Sequence, residues 1–430
     1  MRGLIISIFI ALWMLVPAVG QPSSWKSSKV LHLKPIEDTT AVHTGLDLLA
    51  QHDFRALGKK PVAVIGNCGS YTRRGQHIFD LFQQKYQGAC RAFIQVEEEI
   101  IESTSAGQVW QISDSTVKTR FSVVNRASLT LNPEIVGKAG LIVFDLQNSG
   151  TAFGLDVAVL IMTLEYCRNN KTALVILDRP NPLNARDIEG PLTILSGTDH
   201  KIPIRYGLTL AELALLINEE RYLTGGKSVS LNIIPMVNYS RAADLRGNGF
   251  KFRFPVADIW DTKEAVLYAG LDVLRFTNLS YGEGTNRKFG YVGAPWINGP
   301  ELAGVMNTKN LQGILFNPTS FQPASSVSIK TAPRYSAEDC AGVELVILSQ
   351  EQVNPFEVGA GLVEKVAQLY PRHFRWEDGE AGDKWFGGRD LRTMIDIGAD
   401  LRGLMATWIA EATPFQKISS GYYLYPLNKK

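Results

Sequence analysis

Thr172 to Leu183 reads TALVILDRPNPL, an apolar run that ends abruptly in an acid, an arginine and an asparagine set between two prolines. A short apolar run with β-branched members and no polar alternation suits a strand buried on both faces, as in a parallel sheet. Upstream, Phe153 to Arg168 has helical spacing, and before it Gly140 to Leu146 (GLIVFDL) repeats the apolar run with an acid near its end. Strand, helix, strand in that order is a crossover unit. Further back lie Pro61 to Gly66 (PVAVIG), the amphipathic Gly75 to Lys85 with Ile78, Leu81 and Phe82 on one face, and the strand-like Cys90 to Val96. Thr44 opens a helix-like stretch, and Leu208 to Tyr222 adds a helix at the other end. The expected fold class is therefore α/β, a parallel sheet covered on both faces over about residues 40–235.

Residues 236–430 have a different texture. Gly, Pro, Asn and aromatics crowd 236–330, Val343 to Leu348 alternates, and Gly361 to Gln368 and Asp390 to Ala412 carry helical spacing. A smaller α+β domain is expected there. No internal repeat or low-complexity linker separates the halves, so they are expected to pack closely.

The 430 residues are 45% hydrophobic and 20% charged with a net charge of +2, a globular mix with no basic stripe for nucleic acid. The first twenty residues form a signal-peptide pattern: Arg2, an apolar run from Leu4 to Val16, Pro17, then Ala18-Val19-Gly20. The run is short for a bilayer span. The expectation is an exported chain, periplasmic or secreted, beginning at Gln21 and without a transmembrane span in its mature form, with an uncleaved N-terminal anchor as the alternative. Cys68 and Cys90 fall at opposite ends of neighbouring parallel strands, too far apart for a disulfide, and free buried thiols are expected for most of the four cysteines.

Ligands of open α/β sheets bind beyond the carboxyl ends of the strands. The polar residues expected there are Asn67, Glu97 with Glu98 and Glu99, Asp145 and Gln147, and Asp178 and Arg179. The two prolines of DRPNPL make a stiff turn around Asn181, in which Arg179 either pairs with Asp178 or faces a ligand carboxylate. The six His show no paired spacing, and no Walker lysine, GxSxG or GxGxxG is present, so no metal and no cofactor are expected. Carboxylates and amides in an exported protein suit glycoside chemistry, which needs a protonated carboxyl at the leaving oxygen and a second group at the cationic carbon.

The order of motifs supplies a resemblance. TGLD (Thr44 to Asp47), FDLQ (Phe144 to Gln147), DRPNPL, EGP (Glu189 to Pro191), IPIRYGLTLAEL (Ile202 to Leu213), TNLS (Thr277 to Ser280), GAPW (Gly293 to Trp296), CAGVEL (Cys340 to Leu345) and the closing GYYLYP resemble the NamZ-type exo-β-N-acetylmuramidases over about residues 42–426. The resemblance implies a Rossmann-like first domain, a smaller second one and a cleft between them. It also implies release of terminal N-acetylmuramic acid from peptidoglycan-derived glycans or muropeptides. The family's Ser-Pro-Glu-His-Gly acid falls on Glu97, with Gln95-Val96 before it and Glu98-Glu99 after it. Asp145 is its expected polar counterpart. Asn67, Gln147, Arg179, Asn181, Glu189, Arg205, Asn278 and Arg287 are the expected sugar-binding residues, with the arginines as candidates for the lactyl carboxylate. Elsewhere the chain departs from the family: Asn148, Ala152 and Gly154 stand where it has Asp, Arg and Tyr, and Arg275, Tyr281 and Glu283 where it has Glu, Glu and Arg. A non-catalytic sugar or muropeptide binder on the same scaffold, or an enzyme acting on another glycan, stays open as an alternative.

Overall fold

The computed structural model describes residues 25–97, 109–114, 117–223, 225–242, 253–256, 259, 262–325 and 332–428. The expected signal segment and Glu98 and Glu99 lie outside them. Among the described residues no helix is long and apolar enough to cross a membrane.

The first domain is built on eight strands: β1 (Ser28–Val30), β2 (Val62–Asn67), β3 (Cys90–Val96), β4 (Val109–Asp114), β5 (Val117–Val124), β6 (Leu141–Asp145), β7 (Ala173–Leu177) and, after a β8–β9 hairpin (Glu189–Ile194, Lys201–Arg205), β10 (Leu231–Ile234). Their spatial order is β1-β10-β7-β6-β2-β3-β5-β4. Seven strands are parallel, and β4 closes one edge antiparallel to β5. The apolar runs read from the sequence are the central strands, with β2 and β6 buried along their whole length. The chain forms parallel strands here because helices cover both faces. Val62, Val64, Val143 and Val175 point into one apolar cluster, and Ala63, Ile65, Ile142 and Ile176 into another.

Helices α1 (Gly45–Gln51), α2 (Ile78–Lys85), α3 (Pro133–Val136), α4 (Leu155–Asn170) and α5 (Leu210–Glu219) complete this domain. Thr44 starts α1 and Thr209 starts α5 by the same device, a capping box with Asp47 and Glu212 respectively. Each cap satisfies otherwise orphaned amides, roughly 1 kcal/mol of stability apiece. Gly45 sits so close to the strand exits that a Cβ would fall 2.7 Å from the Asp178 amide nitrogen. Any side chain there would push α1 off the sheet.

The second domain holds a three-stranded antiparallel sheet, β11 (Tyr291–Ala294), β12 (Ile314–Phe321) and β13 (Cys340–Ile347), in the order β11-β13-β12. Around it lie α6 (Thr262–Leu271), α7 (Gly299–Thr308), α8 (Pro355–Leu369), α9 (Gly379–Trp385), α10 (Asp390–Asp396) and α11 (Arg402–Ser419). Helices α6 and α8 cross backbone to backbone: a Cβ on Gly270 would overlap the Pro355 carbonyl, and one on Gly359 the Gly270 carbonyl. The single helix expected over Asp390 to Ala412 is two helices. Gly398 takes a left-handed φ of +65° between α10 and α11 and ends the first turn-run there.

The two halves share side chains. Phe153, Leu183 and Ile204 of the first domain lie in the second domain's core. Helix α11 places Leu404 and Trp408 in that core, while Phe415, with Tyr422 just beyond the helix, enters the first domain's core. The tail after α11 then returns to the strand exits of the first domain. The Arg241 amide donates to the Pro426 carbonyl at 2.9 Å, and the Leu424 amide to Glu212 at 2.8 Å. All four cysteines are free, Cys90, Cys167 and Cys340 buried and Cys68 exposed.

Candidate active site

The carboxyl ends of β2, β3, β5, β6 and β7 meet at one edge of the sheet, and the residues just past them form a bonded rim. Asn67 accepts from the amides of Gly69 (3.0 Å) and Gln147 (3.2 Å) and donates to the Gln147 carbonyl at 2.9 Å, stitching the β2 exit to the β6 exit. Gln147 donates to the Pro180 carbonyl at 2.9 Å and so reaches the β7 exit. Both side chains are buried. They hold loops in place.

Asp145 and Arg179 form the next layer. The guanidinium Nε and Nη2 donate to the two carboxylate oxygens at 2.6 and 2.7 Å, and Nη1 and Nη2 also donate to the Tyr71 carbonyl at 3.1 Å. Arg179 pairs neither with Asp178 nor with an open cleft, because its fork is taken by Asp145. Asp145 is 0% exposed. Burial pushes its carboxyl pKa up, and the neighbouring guanidinium offsets part of that rise. The structure gives Asp145 a bracing place between strand exits rather than an open one beside a sugar.

Asp178 is equally buried and has another set of partners. One oxygen accepts from Thr209 at 2.8 Å and from the Tyr425 hydroxyl, the other from the Arg179 amide at 3.0 Å. Burial raises its pKa to about 7. The sign follows directly. A carboxyl whose folded pKa lies above its unfolded value of 3.8 keeps its proton in the folded state over a range where the unfolded chain has lost it. Its contribution to stability is therefore full at low pH and is lost as pH rises from about 4 to about 7. Asp178→Asn can turn its amide toward the two hydroxyls. Melting temperatures at pH 5 and pH 7.5 are expected to differ less in that variant than in the parent. An unchanged difference would show that Asp178 does not carry the effect.

The remaining residues expected to bind sugar are also engaged. Arg205 binds Glu189 at 2.5 Å and Asp187 at 3.0 Å, and Arg287 binds Glu344 at 3.0 Å and Glu264 at 3.3 Å. Asn181 bridges the Leu208 carbonyl and the Leu183 amide, and Asn278 bridges the His373 carbonyl and the Arg375 amide. Each is a charged or amide side chain that satisfies a local acid or backbone group, the commonest fate of a buried polar residue. Among the described residues, no cluster of three or more His, Cys, Asp or Glu is arranged to hold a metal ion.

Glu97 is placed differently. It follows β3 directly, is half-buried, and its amide donates to the Val124 carbonyl of β5 at 3.1 Å. On one side, Cys68 leaves β2 level with it, since Asn67 pairs with Val96. Cys68 Sγ lies 3.7 Å from the Phe254 carbonyl, and the Arg253 guanidinium stands over the Tyr71 ring at 5.0 Å. On the other side, Asn125 and Arg126 leave β5. Arg126 donates to the Phe153 carbonyl at 3.0 Å and lies 5.1 Å from the Trp385 ring, which itself stacks on Phe153 at 4.9 Å. Arg126, Phe153 and Trp385 line a groove of about 410 Å³ between α4, the β8–β9 hairpin and α9, with Ala152, Thr193, Ile194 and Lys384 along it. Two cations and no acid line that groove. Cys68, Tyr71, Arg126, Arg253 and Trp385 were not among the residues expected from sequence.

A doubly covered parallel sheet followed by a smaller part built on an antiparallel sheet defines an α/β protein. Residues 62–262 match the family described as exo-beta-N-acetylmuramidase NamZ, N-terminal, and residues 266–425 its C-terminal counterpart; the chain belongs to that family. It is 25% identical over 391 residues to the peptidoglycan beta-N-acetylmuramidase NamZ of Bacillus subtilis (strain 168), covering 89% of this chain and 91% of that protein. Two crystal structures of DUF1343 family proteins from Bacteroides fragilis NCTC 9343 share the fold. One has a TM-score of 0.79 at 23% identity and the other 0.68 at 22%, each covering 90% of this chain and 99% of the other.

Proposed function

We propose that this chain is an exported, exo-acting glycoside hydrolase that releases terminal N-acetylmuramic acid from peptidoglycan fragments, with Glu97 as the general acid. The observation that carries the reading is the contrast among the acids at the sheet edge. Asp145 and Asp178 are fully buried, whereas Glu97 is half-exposed at the exit of β3. Family membership and the Bacillus subtilis relative support a glycosidase acting on peptidoglycan. In this reading the Glu97 carboxyl gives its proton to the glycosidic oxygen as the C1–O bond breaks, water adds its hydroxyl to C1, and the water's remaining proton returns through solvent to the Glu97 carboxylate.

The test is incubation of the chain from Gln21 with a chromogenic muramic acid glycoside and with muropeptides, scoring free N-acetylmuramic acid. In the native host, mass spectrometry is expected to find the mature N-terminus at Gln21 outside the cytoplasm; a retained Met1 on cytosolic protein would remove the exported part. A non-catalytic binder on the same scaffold is the second reading, favoured by how many polar residues of the motifs bond one another. Saturable sugar binding without any release would establish it over the hydrolase.

A further inference from the structure

We propose that Arg253 is the residue that reads a carboxylate on the substrate sugar. This rests on the muramic acid reading of the site and names its specificity element. N-acetylmuramic acid differs from N-acetylglucosamine by one lactyl carboxylate, so selectivity between them needs a cation that the protein has not already neutralised. Arg179, Arg205, Arg241 and Arg287 are each bound to internal carboxylates. Arg253 is exposed and makes no ion pair among the described residues.

Its position is fixed from two directions. The Tyr71 ring underlies the guanidinium at 5.0 Å, the geometry of a cation–π contact that leaves the N–H edges outward for an anion. The backbone of residues 253 and 254 is fastened to the β2 exit: Cys68 Sγ donates to the Phe254 carbonyl, and the Arg253 carbonyl lies 3.0 Å from where a Gly69 Cβ would stand. β2 and β3 are adjacent parallel strands, so the β2 exit lies roughly 5 Å from the backbone that carries Glu97. Electrostatics agrees. The Cys68 thiol, raised chiefly by loss of solvation in its place against the Phe254 carbonyl, is pulled down by Arg253 and pushed up by Glu97, which puts both charges within reach of one sulfur. One sugar ring spans such a gap, with its anomeric oxygen toward Glu97 and its lactyl arm toward Arg253.

Calorimetry with N-acetylmuramic acid and its neutral methyl ester tests this on the parent, Arg253→Gln and Arg253→Lys. The parent is expected to prefer the acid, and Arg253→Gln to lose about 10- to 100-fold in affinity for the acid, the value of one charge-assisted hydrogen bond, and with it the preference over the ester. Arg253→Lys should keep part of that preference. Because the side chain is exposed, the melting temperature should not move. A parent without preference for the acid, or an Arg253→Gln variant that retains it, overturns the proposal. The hydrolase reading fails separately: if the parent selects the acid through Arg253 yet releases no sugar from glycosides, Arg253 keeps its role and the catalytic assignment falls.

Discussion

Replacing Glu97 by Gln is expected to lower turnover of a muramic acid glycoside by about 10²- to 10⁴-fold, the usual worth of general-acid assistance, with sugar binding close to that of the parent. The carboxamide keeps the size and hydrogen-bonding reach of the carboxyl but has no acidic proton to deliver. The loss should therefore fall on kcat and leave KM nearly unmoved. An aryl glycoside whose leaving group needs no protonation should show a much smaller loss, because it bypasses the step that Glu97 serves. Glu98→Gln and Glu99→Gln are the controls, since the family has His and Gly at those places. If either of them abolishes turnover while Glu97→Gln stays active, the acid is not Glu97.

The largest expected effect on stability lies one layer deeper. Arg179→Met strands the Asp145 carboxylate at a fully buried position with its bidentate partner gone, and breaking such a pair typically costs about 3–5 kcal/mol. Asp145→Leu strands the guanidinium instead and should cost a similar amount, somewhat relieved by the Tyr71 carbonyl that Arg179 also binds. The double variant should be markedly more stable than the sum of the single losses, because neither charge then remains uncompensated. Urea unfolding of the four proteins gives the coupling directly. Single losses below about 1 kcal/mol would mean that the pair opens to water and that Asp145 is more accessible than its burial indicates.

Most of the fold was legible because its central strands are covered on both faces. Such strands must be apolar throughout, and PVAVIG, GLIVFDL and TALVIL carry that requirement in the open. The edge was not. Val109–Asp114 and Val117–Val124 mix polar and apolar residues too loosely to be read as strands by themselves, and their pairing becomes plain only beside β3. Likewise the apolar spacing of 390–412 runs through the break at Gly398, since a glycine within a periodic stretch does not announce which turn it ends. At the site, the strand ends pointed to the right edge of the sheet but not to which polar groups face outward. Asn67, Asp145, Gln147 and Arg179 all sit at that edge, yet they are consumed by one another. A polar residue after a strand is as useful for tying loops as for touching ligand, and its partners are distant in sequence. Arg253 was hidden for the converse reason, lying outside every strand and reaching the edge only by tertiary packing.

The return of the tail has a mechanical consequence. The chain leaves the first domain after β10 and comes back through α11, whose far end and the residues beyond it are bonded into the strand exits by Tyr425, Leu424 and Pro426. The second domain is thus an excursion whose returning end is bonded back into the first. With Phe153, Leu183 and Ile204 also seated in the second domain's core, separating the halves requires exposing shared apolar surface as well as releasing the tail, so the two unfold as one unit rather than swing apart.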